Sequence, residues 1–88
     1  MSYFVYLLRC ADESLYCGYT NNLKKRILIH NNSNQSAKYT RSRRPVKLVY
    51  YESYLTKSEA MSREAKIKKL SKDYKEYLVS AFDLPTSV

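Results

Sequence analysis

Tyr3-Phe4-Val5-Tyr6-Leu7-Leu8-Arg9-Cys10 is the stretch that decides the fold. Nearly every position is aromatic, β-branched or aliphatic, so the run reads as a strand. It is apolar on both faces of the pleat and therefore needs cover on both, which makes it the central strand of its sheet. Working outward, Ala11 to Ser14 is short and polar, a hairpin turn, and Leu15 to Thr20 is the second strand. Thr20 or Asn21 caps a helix that reaches about His30. Asn31 to Arg44 is rich in Asn, Ser, Lys and Arg, shows no period, and reads as a loop closed by Pro45. Val46 to Tyr54 is the third strand. Thr56-Lys57-Ser58-Glu59 is a capping box, with Thr56 as N-cap and Glu59 three residues on. The helix it opens runs to about Leu70, and Ser71 caps a last helix over about Lys72 to Phe82. The expected fold is α/β, in the order β-β-α-β-α-α. A three-stranded, mainly antiparallel sheet of order 2-1-3 is flanked by helices. One domain covers residues 1–82, and Pro85 breaks a tail over 83–88.

Composition narrows the function. The 88 residues carry a net charge of +8, and they include ten tyrosines, one glycine and two prolines. No Asp or Glu occurs from Ser14 to Tyr51, whereas Lys24, Lys25, Arg26, Lys38, Arg41, Arg43, Arg44 and Lys47 all fall there. An acid-free basic block is the electrostatic footprint of a polyanion binder, and with the tyrosines it favours nucleic acid. A membrane partner is not expected. No helix pairs a cationic face with a Trp/Phe/Leu face, and no apolar run approaches the ~18 residues of a span. Cys10 and Cys17 are not a Cys-x-x-Cys pair, and one histidine does not complete a zinc site with them, so reduced core thiols are expected. The N-terminus enters a strand directly, with no signal peptide, and the expected location is the cytoplasm.

Spacing gathers a few residues. Tyr6 and Tyr16 face one side of the sheet only if their strands pair with even parity. A two-residue loop at Asp12-Glu13 separates them. A three-residue bulged loop, pairing residue 11 with 15, unites them and puts Glu13 where glycine is usual, at about 1 kcal/mol. Arg26 and His30 are four apart on one helix and lie side by side. Leu23, Ile27 and His30 form its buried stripe with Arg26 at the edge, where an aliphatic stem packs and a guanidinium meets phosphate. Glu64 falls within about 40° of the core stripe of its helix, made by Ala60, Ile67 and Leu70. A carboxylate there needs a partner, either Lys68, Arg63 or a divalent metal ion. Lys38, Tyr39, Arg41, Arg43 and Arg44 lie in the basic loop, suited to phosphates and, for Tyr39, to stacking on an unpaired base.

Val5-Tyr6-Leu7 and Tyr16-Cys17-Gly18, followed by Arg26, His30 and Glu64 in that order, resemble the paired tripeptides and later site residues of the GIY-YIG nucleases. Ala37-Lys38-Tyr39-Thr40-Arg41 and Arg43-Arg44-Pro45 look like the small single-domain bacterial branch of that family. The resemblance spans Tyr3 to Leu78. Val5, Leu7 and Cys17 depart from the family pattern by apolar swaps around Tyr6, Tyr16 and Gly18. It implies metal-dependent hydrolysis of phosphodiester bonds in DNA or RNA, with DNA favoured. Tyr6, Tyr16, Arg26, His30 and Glu64 would be catalytic, and Glu64 would hold one Mg²⁺ or Mn²⁺. Lys38, Tyr39, Arg41, Arg43 and Arg44 would bind nucleic acid. Many family nucleases carry a separate DNA-recognition domain, for which this chain has no room. Shape-directed recognition and help from a protein partner are therefore expected. Two alternatives stand beside this reading: a non-catalytic nucleic-acid-binding domain, and an interaction module of a repair or RNA-processing assembly. The place to look for the second is the last helix, with Tyr74, Tyr77, Leu78 and Phe82.

Overall fold

A computed structural model describes residues 2–33 and 37–82. The expected tail over 83–88 lies outside the described residues. Strands β1 (Tyr3–Arg9), β2 (Leu15–Thr20) and β3 (Lys47–Tyr54) form an antiparallel sheet of order β2-β1-β3. Helices α1 (Leu23–Asn32), α2 (Lys38–Arg41), α3 (Lys57–Lys68) and α4 (Lys72–Ser80) complete the chain. None of the described helices is long and apolar enough to cross a membrane.

The central strand is covered on both faces, as its apolar pattern requires. Tyr6, Leu8 and Cys10 pack with Leu23 of α1 and with Val46 and Leu48. Val5 and Leu7 point the other way and pack with Cys17, Tyr50, Ala60 and Ile67, the last two on α3. Strand β3 switches register to serve both faces. Leu7 opposes Tyr50 but Leu8 opposes Leu48, so Val49 is an extra residue between them. Residues two apart ordinarily share a face; the bulge sends Leu48 toward α1 and Tyr50 toward α3.

The β1–β2 hairpin has a three-residue loop, one residue earlier than expected. Cys10 N donates to Ser14 O at 2.9 Å and Arg9 opposes Leu15, so the loop is Ala11-Asp12-Glu13. Asp12 fixes it there by accepting from Ser14 N at 3.0 Å and from Ser14 Oγ at 2.5 Å. Glu13 closes the turn at φ 70°, the left-handed region that favours glycine. Parity is unchanged by the shift. Leu8 opposes Tyr16 and Tyr6 opposes Gly18, so both tyrosines lie on the α1 face.

Several helix ends differ from the expected ones. Asn22, not Thr20 or Asn21, caps α1, accepting from Lys25 N at 3.1 Å, and the helix continues to Asn32. Residues 38–41, expected as loop, form the helical turn α2, in which Ala37 O accepts from Thr40 N and Arg41 N at 3.1 Å each. The capping box of α3 forms as read, and Ser71 caps α4. Cys10 and Cys17 are free, buried thiols on opposite faces of the sheet.

Candidate functional site

The α1 face holds a chain of polar groups inside an apolar shell. Tyr6 is 1% exposed, and His30 and Thr40 are fully buried. The Tyr6 hydroxyl and His30 Nε2 are 2.9 Å apart, and His30 Nδ1 and Thr40 Oγ1 are 2.8 Å apart. Thr40 Oγ1 donates to Ala37 O at 3.0 Å. The Tyr16 ring meets the His30 ring edge-on, with centroids 5.3 Å apart.

Gly18 makes this arrangement possible. A Cβ at Gly18 would stand 2.5 Å from the Tyr6 hydroxyl oxygen and 2.7 Å from its Cζ. The phenol therefore lies directly across the glycine backbone, in space that a side chain would fill. This is a close-approach glycine, since its φ is not positive.

Burial sets the protonation of the chain. Desolvation drives the Tyr6 phenol up to about 12, although the Arg26 guanidinium beside it opposes the rise by hydrogen bonding and charge. Desolvation first, and then the charges of Arg26 and Arg44, hold His30 down at about 4. At neutral pH Tyr6 is thus a protonated phenol and His30 a neutral imidazole. Arg26, by contrast, is half-buried and reaches solvent. It lines an open cleft of about 380 Å³ with Tyr3, Tyr19, Thr20, Asn21 and Lys57. Arg26 enters this cleft from α1, and Lys57 enters from the first turn of α3.

The structure brings Tyr6, Tyr16, Arg26 and His30 together and leaves Glu64 outside that group. Glu64 lies on α3, which packs on the other face of the sheet. Its side chain is 18% exposed and sits 3.7 Å from Lys68, while Arg63 is taken by Glu52 at 2.9 Å. Burial, then the nearby Glu64 carboxylate, pushes the Cys17 thiol up to about 12. Cys17 is an inert core group at neutral pH.

Tyr39, Arg43 and Arg44 of the basic segment are engaged in contacts within the protein. Arg43 Nε binds Asp12 at 2.9 Å and Arg43 Nη1 donates to Tyr39 O at 2.9 Å, with the guanidinium carbon 3.9 Å from the centre of the Tyr39 ring. Tyr39 also stacks on Tyr16, with centroids 5.9 Å apart. Arg44 closes the end of α1, donating to His30 O at 2.6 Å and to Ser33 O. Lys38 and Arg41 are exposed. Thr40, Lys57 and Asn31, whose amide clamps Val46 through bonds of 2.9 and 2.7 Å, are unmarked in the sequence. Polar residues in an aperiodic segment carry no signal of burial, so nothing in the sequence marked Thr40.

Known proteins match this chain along nearly its whole length. A family model described as the GIY-YIG catalytic domain matches residues 2–77. A UPF0213 protein of Clostridium perfringens is 59% identical over 78 residues, covering 89% of this chain and 83% of its own. One of Staphylococcus saprophyticus is 51% identical, covering 89% and 94%. Solution NMR structures of the UPF0213 protein BH0048 from Bacillus halodurans and of a protein from E. faecalis are 46% and 40% identical. They superpose with TM-scores of 0.58 and 0.62, covering 91% and 93% of this chain and 84% and 86% of theirs.

Proposed function

The chain belongs to the GIY-YIG family, a nuclease superfamily, and from that premise we propose that it is a metal-dependent endonuclease. On this reading it hydrolyses phosphodiester bonds at the cleft where Arg26 emerges. The observation that carries the reading is that Arg26 joins a buried phenol–imidazole pair to an open basic cleft. A guanidinium held in that way is suited to clamp a non-bridging phosphate oxygen and to stabilise charge that grows in the transition state.

Burial separates the two tyrosines. Tyr6 is closed to solvent and keeps its proton, so its part is to hold Arg26 and His30 in place. Tyr16 is half-buried, rests against His30, and is the group suited to orient the attacking water. Among the described residues no three His, Cys, Asp or Glu side chains gather into a metal cage. One half-buried carboxylate, loosely paired at 3.7 Å, fits a hard divalent cation that completes its shell with waters and substrate phosphate. Glu64 would hold that ion, Mg²⁺ or Mn²⁺, which when bound supplies charge neutralisation at the scissile phosphate and the leaving oxygen. Lys57 in the cleft, and Lys38 and Arg41 on α2, supply further phosphate contacts. Such contacts follow the shape of a backbone and carry no base readout, with DNA as the favoured substrate.

The test is cleavage of labelled single-stranded, duplex and branched DNA and RNA, with Mg²⁺, Mn²⁺ or EDTA, by wild type and Glu64→Ala prepared identically. Metal-dependent cutting by wild type, lost in Glu64→Ala with binding retained, is the expected result. Binding by both with cutting by neither would replace the nuclease reading with an inert binding domain. Undiminished cutting by Glu64→Ala would remove Glu64 from the mechanism.

A further inference from the structure

The polar chain behind Arg26 has a direction, and that direction is set from the far end. Thr40 has one hydroxyl proton and gives it to Ala37 O, at 3.0 Å. Its oxygen is then an acceptor toward His30 Nδ1, at 2.8 Å. A neutral imidazole carries one N–H, so with Nδ1 donating, Nε2 is left to accept from the Tyr6 hydroxyl, at 2.9 Å. The near end fits the same polarity. The guanidinium of Arg26 has only donors, so the phenol must face it with lone pairs.

We infer that Thr40 is a positioning residue that fixes His30 as its Nδ1–H tautomer and thereby holds the Tyr6 lone pairs toward Arg26. Tyr6, His30 and Thr40 are closed to solvent, so water does not take over the lost contact when the hydroxyl is removed. Thr40 lies on α2, beside Lys38 and Arg41. The short turn that carries part of the basic surface thus also sets the inner face of the site. The tautomer follows from the hydrogen bonds alone. Its effect on catalysis rests on the nuclease reading above.

His30 is the only histidine in the chain, so ¹⁵N NMR of the labelled protein gives one imidazole to assign. The expected wild-type pattern between pH 6 and 8 is a protonated Nδ1 and an unprotonated Nε2. Thr40→Val removes the hydroxyl and keeps the branched shape. It should move the ring to the Nε2–H form or to an average of the two, and cleavage should fall roughly tenfold, the equivalent of one hydrogen bond. Thr40→Ser should restore both the Nδ1–H signal and the rate. An Nε2–H ring in wild type overturns the inference by itself, whatever the stability of the variants. So does an Nδ1–H ring that persists in Thr40→Val. The tautomer needs no turnover to be read. An inactive protein with the expected shifts therefore sinks the nuclease reading alone, whereas an active protein whose shifts ignore Thr40→Val sinks this inference alone.

Discussion

Gly18→Ala isolates the close approach on which the α1 face depends. The glycine does not use a positive φ, so its backbone accepts alanine and any cost must come from contact. The new methyl would stand 2.5 Å from the Tyr6 oxygen, 2.7 Å from its Cζ and 3.2 Å from Tyr16 Cε2, all inside the 3.4 Å where ordinary contact begins. Tyr6 has little room to yield. It is 1% exposed, and its hydroxyl is 2.9 Å from a histidine whose other nitrogen is also held. Overpacking of this kind costs about 1–3 kcal/mol, and loss of the Tyr6–His30 bond adds about 1 kcal/mol. In a domain this small the sum lowers the melting temperature by roughly 10–25 °C. Urea denaturation measures it as a lower midpoint with an unchanged slope. A double-mutant cycle supplies the sharper test. Tyr6→Phe removes the 2.5 Å contact but leaves the 2.7 Å one. Gly18→Ala should therefore cost about 1 kcal/mol less in the Tyr6→Phe background than in wild type. An equal cost in both backgrounds, or none in either, refutes the clash.

His30 titrates at about 4 when folded against 6.5 as its ordinary value, so between those values the unfolded chain binds the extra proton. Stability is whole above pH 6.5 and declines as pH falls toward 4, by about 3 kcal/mol, and urea titrations of wild type and His30→Gln over that window should diverge accordingly. The depressed carboxyls of Glu52, Glu76 and Asp12 act with the same sign but only as pH falls below their ordinary values of 4.5, 4.5 and 3.8, so the decline above pH 4.5 is the part that reports His30. Cationic residues of the basic surface should also separate by role. Arg44→Lys breaks a two-carbonyl clamp at the end of α1 and should cost about 1 kcal/mol of stability with an unaltered salt slope of DNA binding. Lys57→Ala should keep stability and reduce that slope by roughly 1 in a filter-binding or anisotropy titration.

Much of this architecture could be read from local pattern. The two-sided apolar run of β1 announced a central strand, and the capping box announced the first turn of α3, whose end at Lys68 falls two residues short of the expected Leu70. Parity alone tied the common face of Tyr6 and Tyr16 to a three-residue loop, and Glu13 took the expected left-handed position. What escaped was set by contacts distant in sequence. Arg44 looks like Arg43 in the sequence, but the carbonyls of His30 and Ser33 turn it into a helix clamp. The extra residue at Val49 satisfies two cores at once and leaves no mark on composition. A four-residue helix such as α2 is too short to show a period, and so Thr40 passed for a loop residue. The helical wheel placed Glu64 near a core, but only the path of the chain decides which face of the sheet α3 covers.

The placement of α1 and α3 on opposite faces of the sheet constrains how a substrate would have to sit. Along β2 the alternation is strict: Tyr16 and Gly18 face α1, and Cys17 between them faces α3 and Glu64. Arg26 and Glu64 therefore approach from opposite sides of one strand. Strand β2 is an edge of the sheet, with β1 on one side only. If both residues act on the same phosphodiester, the phosphate cannot lie over the middle of either face. It would then lie off the outer edge of β2, where groups from the two faces can reach around the strand. The cleft shared by Arg26 and Lys57 already spans the two faces at the end of β2. Lys57 and Glu64 are seven residues apart on α3, two turns along one flank of the helix, so the cleft and the carboxylate share that flank. An edge strand is ordinarily a liability that proteins cover or charge. Among the described residues no strand pairs with the outer side of β2, and it is at this edge that the cation of α1 and the carboxylate of α3 would meet a single substrate.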